Sequence, residues 1–367
     1  MKVLYLLGGL NRGGKEVLIR DILSNYKVLP FDALFVYRKE GNMSSDFLSI
    51  GAQVKKISLK PIVSFLKELR QCVLREKVDI IHAQSSFDAM LSVFATMGLK
   101  VKVIQTIHGL DESKKKKLFN LQKLMMQFCS KTVFVSNYQR RFYVEKYKLS
   151  ERVTRKTCVI YNGVDFSKFD RIYDEVHLPK CSEKGLRLIT VGNFVAGRRH
   201  LLICKFLKLL SDASVSFDFY FVGKKDPAQE WRYDECYSYC DENSLLDRVH
   251  FLGSRDDVPA LLKQMDAFIY SSDADTFGIA VVEAIYSGVP VFVNDFAVMK
   301  EITLDGKLAT LYQSGNENDL LEKFLNSIDG FENKVVDKNI QTQGVASVFS
   351  IDNHINSLNT MYNSLNM

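Results

Sequence analysis

The sequence predicts an α/β protein of two halves, each a mostly parallel sheet with helices on both faces. Three observations carry this. Apolar runs of strand length alternate with segments of helical spacing along almost the whole chain. The alternation lapses over residues 170–185 and then restarts. The 367 residues are enough for two domains of ordinary size.

In the first half, residues 2–8, 32–37, 53–58, 78–83, 101–108, 132–137 and 157–163 read as strands. Residues 15–25, 62–76, 87–98 and 138–147 carry apolar positions at helical spacing between them. Residues 170–185 hold two charged patches, Pro179 and little periodicity, so they read as a linker. The second half continues with strand-like runs at 186–193, 217–223, 248–253, 266–272 and 289–294. Helices are expected from His200, around Trp231, at 258–264, from Phe277-Gly278 to Gly288, and at 317–328. The expected bounds are therefore 1–169, a linker at 170–185, 186–350, and a terminal segment at 351–367.

Hydrophobic residues make up 47% and charged residues 25%, the composition of a globular protein rather than a disordered or fibrous one. MKVLYLL is followed at once by Gly8-Gly9 and Asn11-Arg12, so it reads as a first strand rather than an export signal. No segment approaches the roughly 20 apolar residues of a membrane-spanning helix. The seven cysteines are scattered and odd in number, which suits reduced thiols in cytoplasm. Cys236 and Cys240 have helical spacing but no further ligands nearby to make a metal site.

The net charge of +6 hides an asymmetry. Through Asp165 the chain carries 29 Lys and Arg against 14 Asp and Glu; the remainder carries 20 against 29. A basic half joined to an acidic half suggests different partners for each. Lys114 to Lys117 precede Leu, Phe and Met at helical spacing, and two readings stand: a helix lying on an anionic membrane surface, or a solvated run capping a core helix. No recognition module for nucleic acid is present.

Residues 267–294, AFIYSSDADTFGIAVVEAIYSGVPVFVN, hold the most chemistry. A strand leads through Asp273-Ala274-Asp275 into a helix closed by Gly288, and a second strand follows. Asp275 lies just outside the helix start and Glu283 eight residues on, inside an apolar helix where a carboxylate without partners would be costly. Free N–H groups at a helix start attract anions. Carboxylates on either side accept hydrogen bonds from sugar hydroxyls.

This stretch resembles the acid-x7-acid signature of the retaining glycosyltransferases of family 4, the group 1 transferases, which have the GT-B fold. Asp275-Thr276-Phe277-Gly278-Ile279, Glu283-Ala284, Gly288, Pro290 and Val291 occupy the family positions, with Asp in place of the first Glu and Thr276 in place of a Gly. The resemblance implies two Rossmann-like domains facing across a cleft, the first on the acceptor side and the second binding the nucleotide sugar. It also implies that the terminal helix, 351–367, returns to the first domain.

Other segments resemble the same family. Gly13, Gly14 and Glu16 match its GG-x-E loop, near donor phosphate and acceptor. His108 ends a TIHG segment similar to the family's T-x-H-G/D, which implies a contact to the donor sugar. His82, at the end of another strand, is open to a structural or a cleft role. Ser136-Asn137-Tyr138 and residues 159–165 match acceptor-side and interdomain signatures. Asn193 stands where the family has the Arg of V-G-R, and Arg198 where it has a phosphate-binding Lys, with Arg199 as the register alternative. Residues 248–257, including Phe251, resemble the segment beside the nucleotide base.

The resemblance implies transfer of a sugar from a nucleotide diphosphate sugar, a UDP-sugar foremost, to an acceptor hydroxyl on a glycan or lipid-linked carrier. It implies retained configuration, no metal and no further cofactor. His108, Asp275, Glu283 and Arg198 form the expected catalytic set. Gly13, Gly14, Asn193, Arg198, Phe251, Phe277, Gly278, Ile279 and Glu283 are the expected donor contacts. The expected setting is bacterial surface polysaccharide assembly in the cytoplasm, at the inner membrane face, with the basic half against anionic lipid. Asp273-Ala274-Asp275 is also a D-x-D triplet of the kind that holds a metal in the other large glycosyltransferase fold, but it lies late, in the second half. Two rival functions remain: a nucleotide-sugar epimerase on the same scaffold, and a non-catalytic partner subunit.

Overall fold

The computed structural model describes the chain except residues 111–115, 172–175, 177, 180–184, 331–337 and 366–367, and except the side chains of 116–120 and 338–341. Lys114 and Lys115 of the expected basic run, the side chains of Lys116 and Lys117, and most of the expected linker lie outside the described residues. The described residues form two compact units, one of 1–165 with 349–367 and one of 166–348.

The first unit runs β1 (Lys2–Gly9), α1 (Gly14–Ser24), β2 (Asp32–Lys39), α2 (Ser44–Ser49), β3 (Val54–Lys56), α3 (Ile62–Arg75) and β4 (Ile80–Ala83). It continues with α4 (Ser86–Ala95), β5 (Lys102–Ile107), α5 (Lys116–Phe128), β6 (Lys131–Phe134), α6 (Asn137–Tyr147), α7 (Glu151–Thr154) and β7 (Thr157–Val159). Among the described residues its strands form one parallel sheet in the order β3-β2-β1-β4-β5-β6-β7. β1 is buried on both faces, which is why it reads as a continuous apolar run. Val3, Tyr5 and Leu7 join the core under α1, while Leu4 and Leu6 join the core under α3 and α4.

The second unit holds β8 (Leu186–Val191), α8 (His200–Asp212), β9 (Phe217–Val222), α9 (Trp231–Glu242), β10 (Val249–Gly253), α10 (Val258–Leu262) and β11 (Ala267–Tyr270). Then follow α11 (Ile279–Ser287), β12 (Val291–Asn294), α12 (Ala297–Ile302), β13 (Thr310–Tyr312), α13 (Glu317–Ile328) and α14 (Lys338–Phe349, whose last residue falls in the first unit). The strand order is β10-β9-β8-β11-β12-β13, again parallel. Helix α8 touches α9 and α13, while α10 touches α11, so the two groups cover opposite faces of the sheet. Cys204, Cys236 and Cys240 are buried with the phenylalanines of the α8 face, so the Cys236/Cys240 pair is core.

The unit boundaries differ from the composition-based ones. Residues 166–169 belong to the second unit because Phe166 stacks on Tyr286 at 3.9 Å and Phe169 meets the same ring edge-on. Residues 349–350 belong to the first, through a parallel bridge between Val164 and Ser350.

The last helix, α15 (Ile351–Asn363), belongs to the first unit. Ser350 caps it, accepting from the Asn353 N–H, and Ile351, Ile355, Leu358, Met361 and Tyr362 recur at helical spacing on its buried side. Gly163 makes the close approach possible: a Cβ there would lie 2.8 Å from Ile351 Cα. Tyr362 keys the helix to the sheet, its hydroxyl 2.6 Å from His82 Nδ1 and 2.9 Å from the Tyr5 hydroxyl, while His82 Nε2 meets Thr106 Oγ1 at 2.7 Å. Both ring nitrogens of the buried His82 are thus used within the core, and the structural reading of this residue holds. Removing the Tyr362 hydroxyl would leave a buried nitrogen without its partner. Tyr362→Phe is expected to lower the urea-unfolding free energy by about 1–3 kcal/mol; a loss below about 0.5 kcal/mol would contradict this anchoring.

Candidate functional site

In the second unit the strand order reverses between β8 and β11. At such a switch point the loops leaving the carboxyl ends of two strands diverge and open a place for a ligand. The loop after β8 carries Asn193 and Arg198; the loop after β11 carries Asp273 to Gly278.

These loops are tied together. Arg199 N–H donates to Ser271 O (3.0 Å), and Asp273 N–H and Ser272 Oγ donate to Gly197 O at 2.9 and 3.0 Å. Gly197 has φ +84°, and a Cβ there would fall 2.2 Å from Ala274 Cβ, so both backbone shape and space require glycine. Asn193 uses its side-chain carbonyl to accept from Lys224 N–H (3.0 Å), fastening its loop to the one after β9.

Arg198 and Asp275, assigned from sequence to phosphate and to sugar hydroxyls, are brought together. Arg198 Nη1 donates to Asp275 Oδ2, and the guanidinium lies over the Tyr270 ring, 4.8 Å from its centre. The Tyr270 hydroxyl donates to the same Asp275 oxygen at 2.5 Å. Burial alone would lower the Arg198 pKa; the Asp275 charge, with Tyr270, outweighs it and holds the guanidinium protonated. Burial, then Asp275, push the Tyr270 phenol well up, so it stays a donor, with Arg198 opposing the shift. His200 is pushed down to about 3, by burial first and then by Arg198. One donor remains unused: Arg198 Nε is buried with no hydrogen-bond partner among the described residues. A buried N–H of a cation without an acceptor is costly, and an anion seated against it removes the cost. Arg199 instead donates through Nε to Asp273 Oδ2 (2.6 Å) at the exposed edge.

Gly278, at φ +94°, turns the chain into α11. The helix start has no side-chain cap and no acid in its first turn, so its leading N–H groups have no carboxylate or hydroxyl from the cap position. Phe277 is buried. Val281, Val282, Ala284 and Ile285 are buried in the core, whereas Ile279, Ala280 and Glu283 lie on a half-exposed stripe of the helix. Glu283 is therefore one turn below the helix start, on the side that meets solvent. Phe251 stacks on Phe221 at 5.0 Å and 8°, and Tyr233 and Tyr237 flank it, so its ring is part of an aromatic cluster.

A cavity of ≈ 620 Å³ is lined in part by these same loops, with Arg198, Arg199, Asp273, Lys205, Trp231 and Asn294 among its walls. It is bounded by the starts of α8, α9 and α13, and none of Phe277, Gly278, Ile279 and Glu283 lines it. Neither this cavity nor the role of Tyr270 was visible in the sequence: a tyrosine ending an apolar strand looks like core.

In the first unit the order reverses between β1 and β4, and the glycine loop follows β1. Gly13 precedes α1 and Gly14 begins it; a Cβ on Gly13 would meet Glu16 Oε2 at 2.8 Å, and Glu16 pairs with Lys15 at 3.0 Å. His108 follows β5 and its Nε2 lies 2.8 Å from Gln84 Oε1. Burial, then the Lys15 charge, then His82 and His354, hold its pKa well below the usual value, so the ring is neutral. Lys15 and His108 therefore share one end of this sheet.

Two α/β units, each with a parallel sheet whose strand order reverses at a switch point, are the layout of a two-domain nucleotide-binding scaffold, and the comparisons name the family. Residues 44–168 match the family model Glycosyltransferase Family 4, and residues 179–333 match Glycosyl transferases group 1. The chain is similar to the Escherichia coli UDP-Gal:alpha-D-GlcNAc-diphosphoundecaprenol alpha-1,3-galactosyltransferase, 25% identical over 86% of this chain and 83% of that one. It is 24% identical to the Campylobacter jejuni N,N'-diacetylbacillosaminyl-diphospho-undecaprenol alpha-1,3-N-acetylgalactosaminyltransferase, over 80% of this chain and 81% of that one. Its fold matches the crystal structure of Anabaena HepE in complex with UDP, with a TM-score of 0.84, 17% identity, and coverage of 99% of this chain and 100% of that one. The chain belongs to glycosyltransferase family 4, the group 1 transferases, and has the GT-B architecture.

Proposed function

We propose that this glycosyltransferase moves a sugar, with retention of configuration and without a metal, from a UDP-sugar to a hydroxyl of a lipid-diphosphate-linked glycan. The observation that carries the reading is the buried Arg198 Nε, which has no hydrogen-bond partner among the described residues, on a side chain that Asp275 ties to the loop leading into the uncapped start of α11. One cationic donor and a row of backbone N–H groups suit a diphosphate. In this reading Asp275 accepts from donor-sugar hydroxyls, and Glu283, a turn into the helix, accepts from the ribose. The named substrates of the Escherichia coli and Campylobacter relatives, both diphosphoundecaprenol-linked, support the acceptor class. The UDP and UDP-glucose complexes of HepE support the donor class.

In the reaction the bond from the anomeric carbon to the diphosphate oxygen breaks and the acceptor oxygen bonds that carbon. The acceptor's hydroxyl proton leaves with the departing UDP. Negative charge grows on the diphosphate as the bond stretches, and in this reading Arg198 and the Gly278–Ile279 backbone N–H groups stabilise it. The proposed place of work is the cytoplasmic face of the membrane, with the basic first half against anionic lipid. Among the described residues no helix is long and apolar enough to cross a membrane.

The test is to incubate the chain with UDP-galactose, UDP-glucose and their N-acetylated counterparts, each with a lipid-diphosphate-linked N-acetylhexosamine. Acceptor-dependent UDP release that persists in EDTA, with an α-linked product by NMR, is expected. Interconverted UDP-sugars without acceptor would replace this reading with an epimerase; binding without turnover would replace it with a partner subunit.

A further inference from the structure

We infer that the ≈ 620 Å³ cavity at the starts of α8, α9 and α13 is a second carbohydrate subsite, which takes a neutral mono- or disaccharide with Trp231 as its stacking platform. The inference goes beyond the proposed reaction. It concerns a sugar held away from the start of α11, and it is tested without any transfer.

Trp231 is the single tryptophan of the chain, and it opens α9 at the cavity wall. It is 55% exposed, yet its ring is held. Arg232 lies over it, 4.3 Å from the ring centre, and donates through Nε to Gln229 Oε1 at 3.0 Å. The same oxygen accepts the Ala196 N–H at 2.9 Å, which ties the platform to the loop after β8. A ring already held loses little freedom when a ligand stacks on it. The C–H face of a pyranose is apolar, and its weakly positive hydrogens suit the negative face of an aromatic ring.

The charges of the wall favour a neutral ligand. Of its four cations, Arg198 pairs with Asp275 and Arg199 with Asp273. Lys205 and Arg232 then stand against Glu235 and Glu317, which leaves no net charge for an anion. A diphosphate would also meet the three carboxylates of the wall, Asp273, Glu235 and Glu317, at close range. A sugar hydroxyl both donates and accepts, so it uses carboxylate and cation alike. The volume falls within the roughly 300–1,000 Å³ usual for small-molecule sites, a size that suits one or two sugar rings.

The test uses the fluorescence of Trp231 in the full chain, titrated with galactose, N-acetylglucosamine, N-acetyllactosamine and pyrophosphate. A saturable shift to shorter wavelength is expected with at least one saccharide, half complete on the order of 1 mM, and none with pyrophosphate. Glu235→Ala and Lys205→Ala should each weaken that saccharide about tenfold, the worth of one hydrogen bond to a charged group. Thermal melts check that both variants fold. No shift with any saccharide up to about 50 mM would overturn the proposal, as would a shift with pyrophosphate alone. Unchanged affinity in both variants would place the sugar outside the cavity and overturn it too. So would competition by UDP-galactose, which would make the cavity the pocket of the donor sugar.

Discussion

Arg198→Ala is expected to lower kcat about 10²–10³-fold, the loss typical of removing one preorganised donor from developing negative charge. Arg198 offers two things to a departing diphosphate: a fixed positive charge and an Nε donor that no group among the described residues uses. Its partner Asp275 keeps the hydrogen bond from Tyr270 at 2.5 Å when the guanidinium is gone, so the loop retains part of its support. Arg198→Lys separates charge from geometry. A lysine keeps the charge on a single point but loses the planar fork, and the loss should be about tenfold. Steady-state assays on the two variants, with thermal melts to check folding, decide the matter. Activity of folded Arg198→Ala within about threefold of wild type would remove Arg198 from the mechanism.

Acid should destabilise the protein well before carboxylates are protonated. Burial pushes His82 down to about 3, helped by His354, and His200 down to about 3, helped by Arg198. Burial takes His354 to about 4 against the opposing Tyr161 carbonyl. All three start from an ordinary value of 6.5. Below 6.5 the unfolded chain takes up protons that the folded chain refuses, so the unfolded state binds more protons and stability falls as pH falls. The window runs from 6.5 down to about 3. One pH unit into it, each histidine removes about 1.4 kcal/mol, and together they remove about 4 kcal/mol. That is a large part of a typical 5–15 kcal/mol. Urea unfolding at pH 7.5 and at pH 5.5 should show this loss. Equal unfolding free energies at the two values would contradict the burial of these rings as neutral groups.

Much of the architecture was legible because its signals are local. Gly278 and Gly288 both adopt positive φ, at +94° and +77°, and they bracket α11 as a sequence reader would place it. The buried strands announce themselves as apolar runs. What was not legible is short or distant. β13 is only Thr310–Tyr312, too short for any periodicity; it is a strand through its parallel pairing with β12, and the Tyr312 hydroxyl donates to the Tyr270 carbonyl at 2.8 Å. The first boundary between units depends on two phenylalanines finding Tyr286, more than a hundred residues later. His82 and His108 look alike in sequence, each closing a strand; Tyr362, 280 residues on, makes one of them structural. The pairing of Arg198 with Asp275 likewise joins loops 77 residues apart. The motif gave these residues a shared address but not their contact.

The central claim is that a nucleoside diphosphate seats at the start of α11 and takes up the unused donor of Arg198. A crystal structure of the chain with UDP tests it most directly. The account predicts phosphate oxygens within about 3 Å of Arg198 Nε and of the Gly278 and Ile279 amides. A diphosphate lodged instead in the cavity between α8, α9 and α13, with Arg198 Nε still without an acceptor, would contradict it.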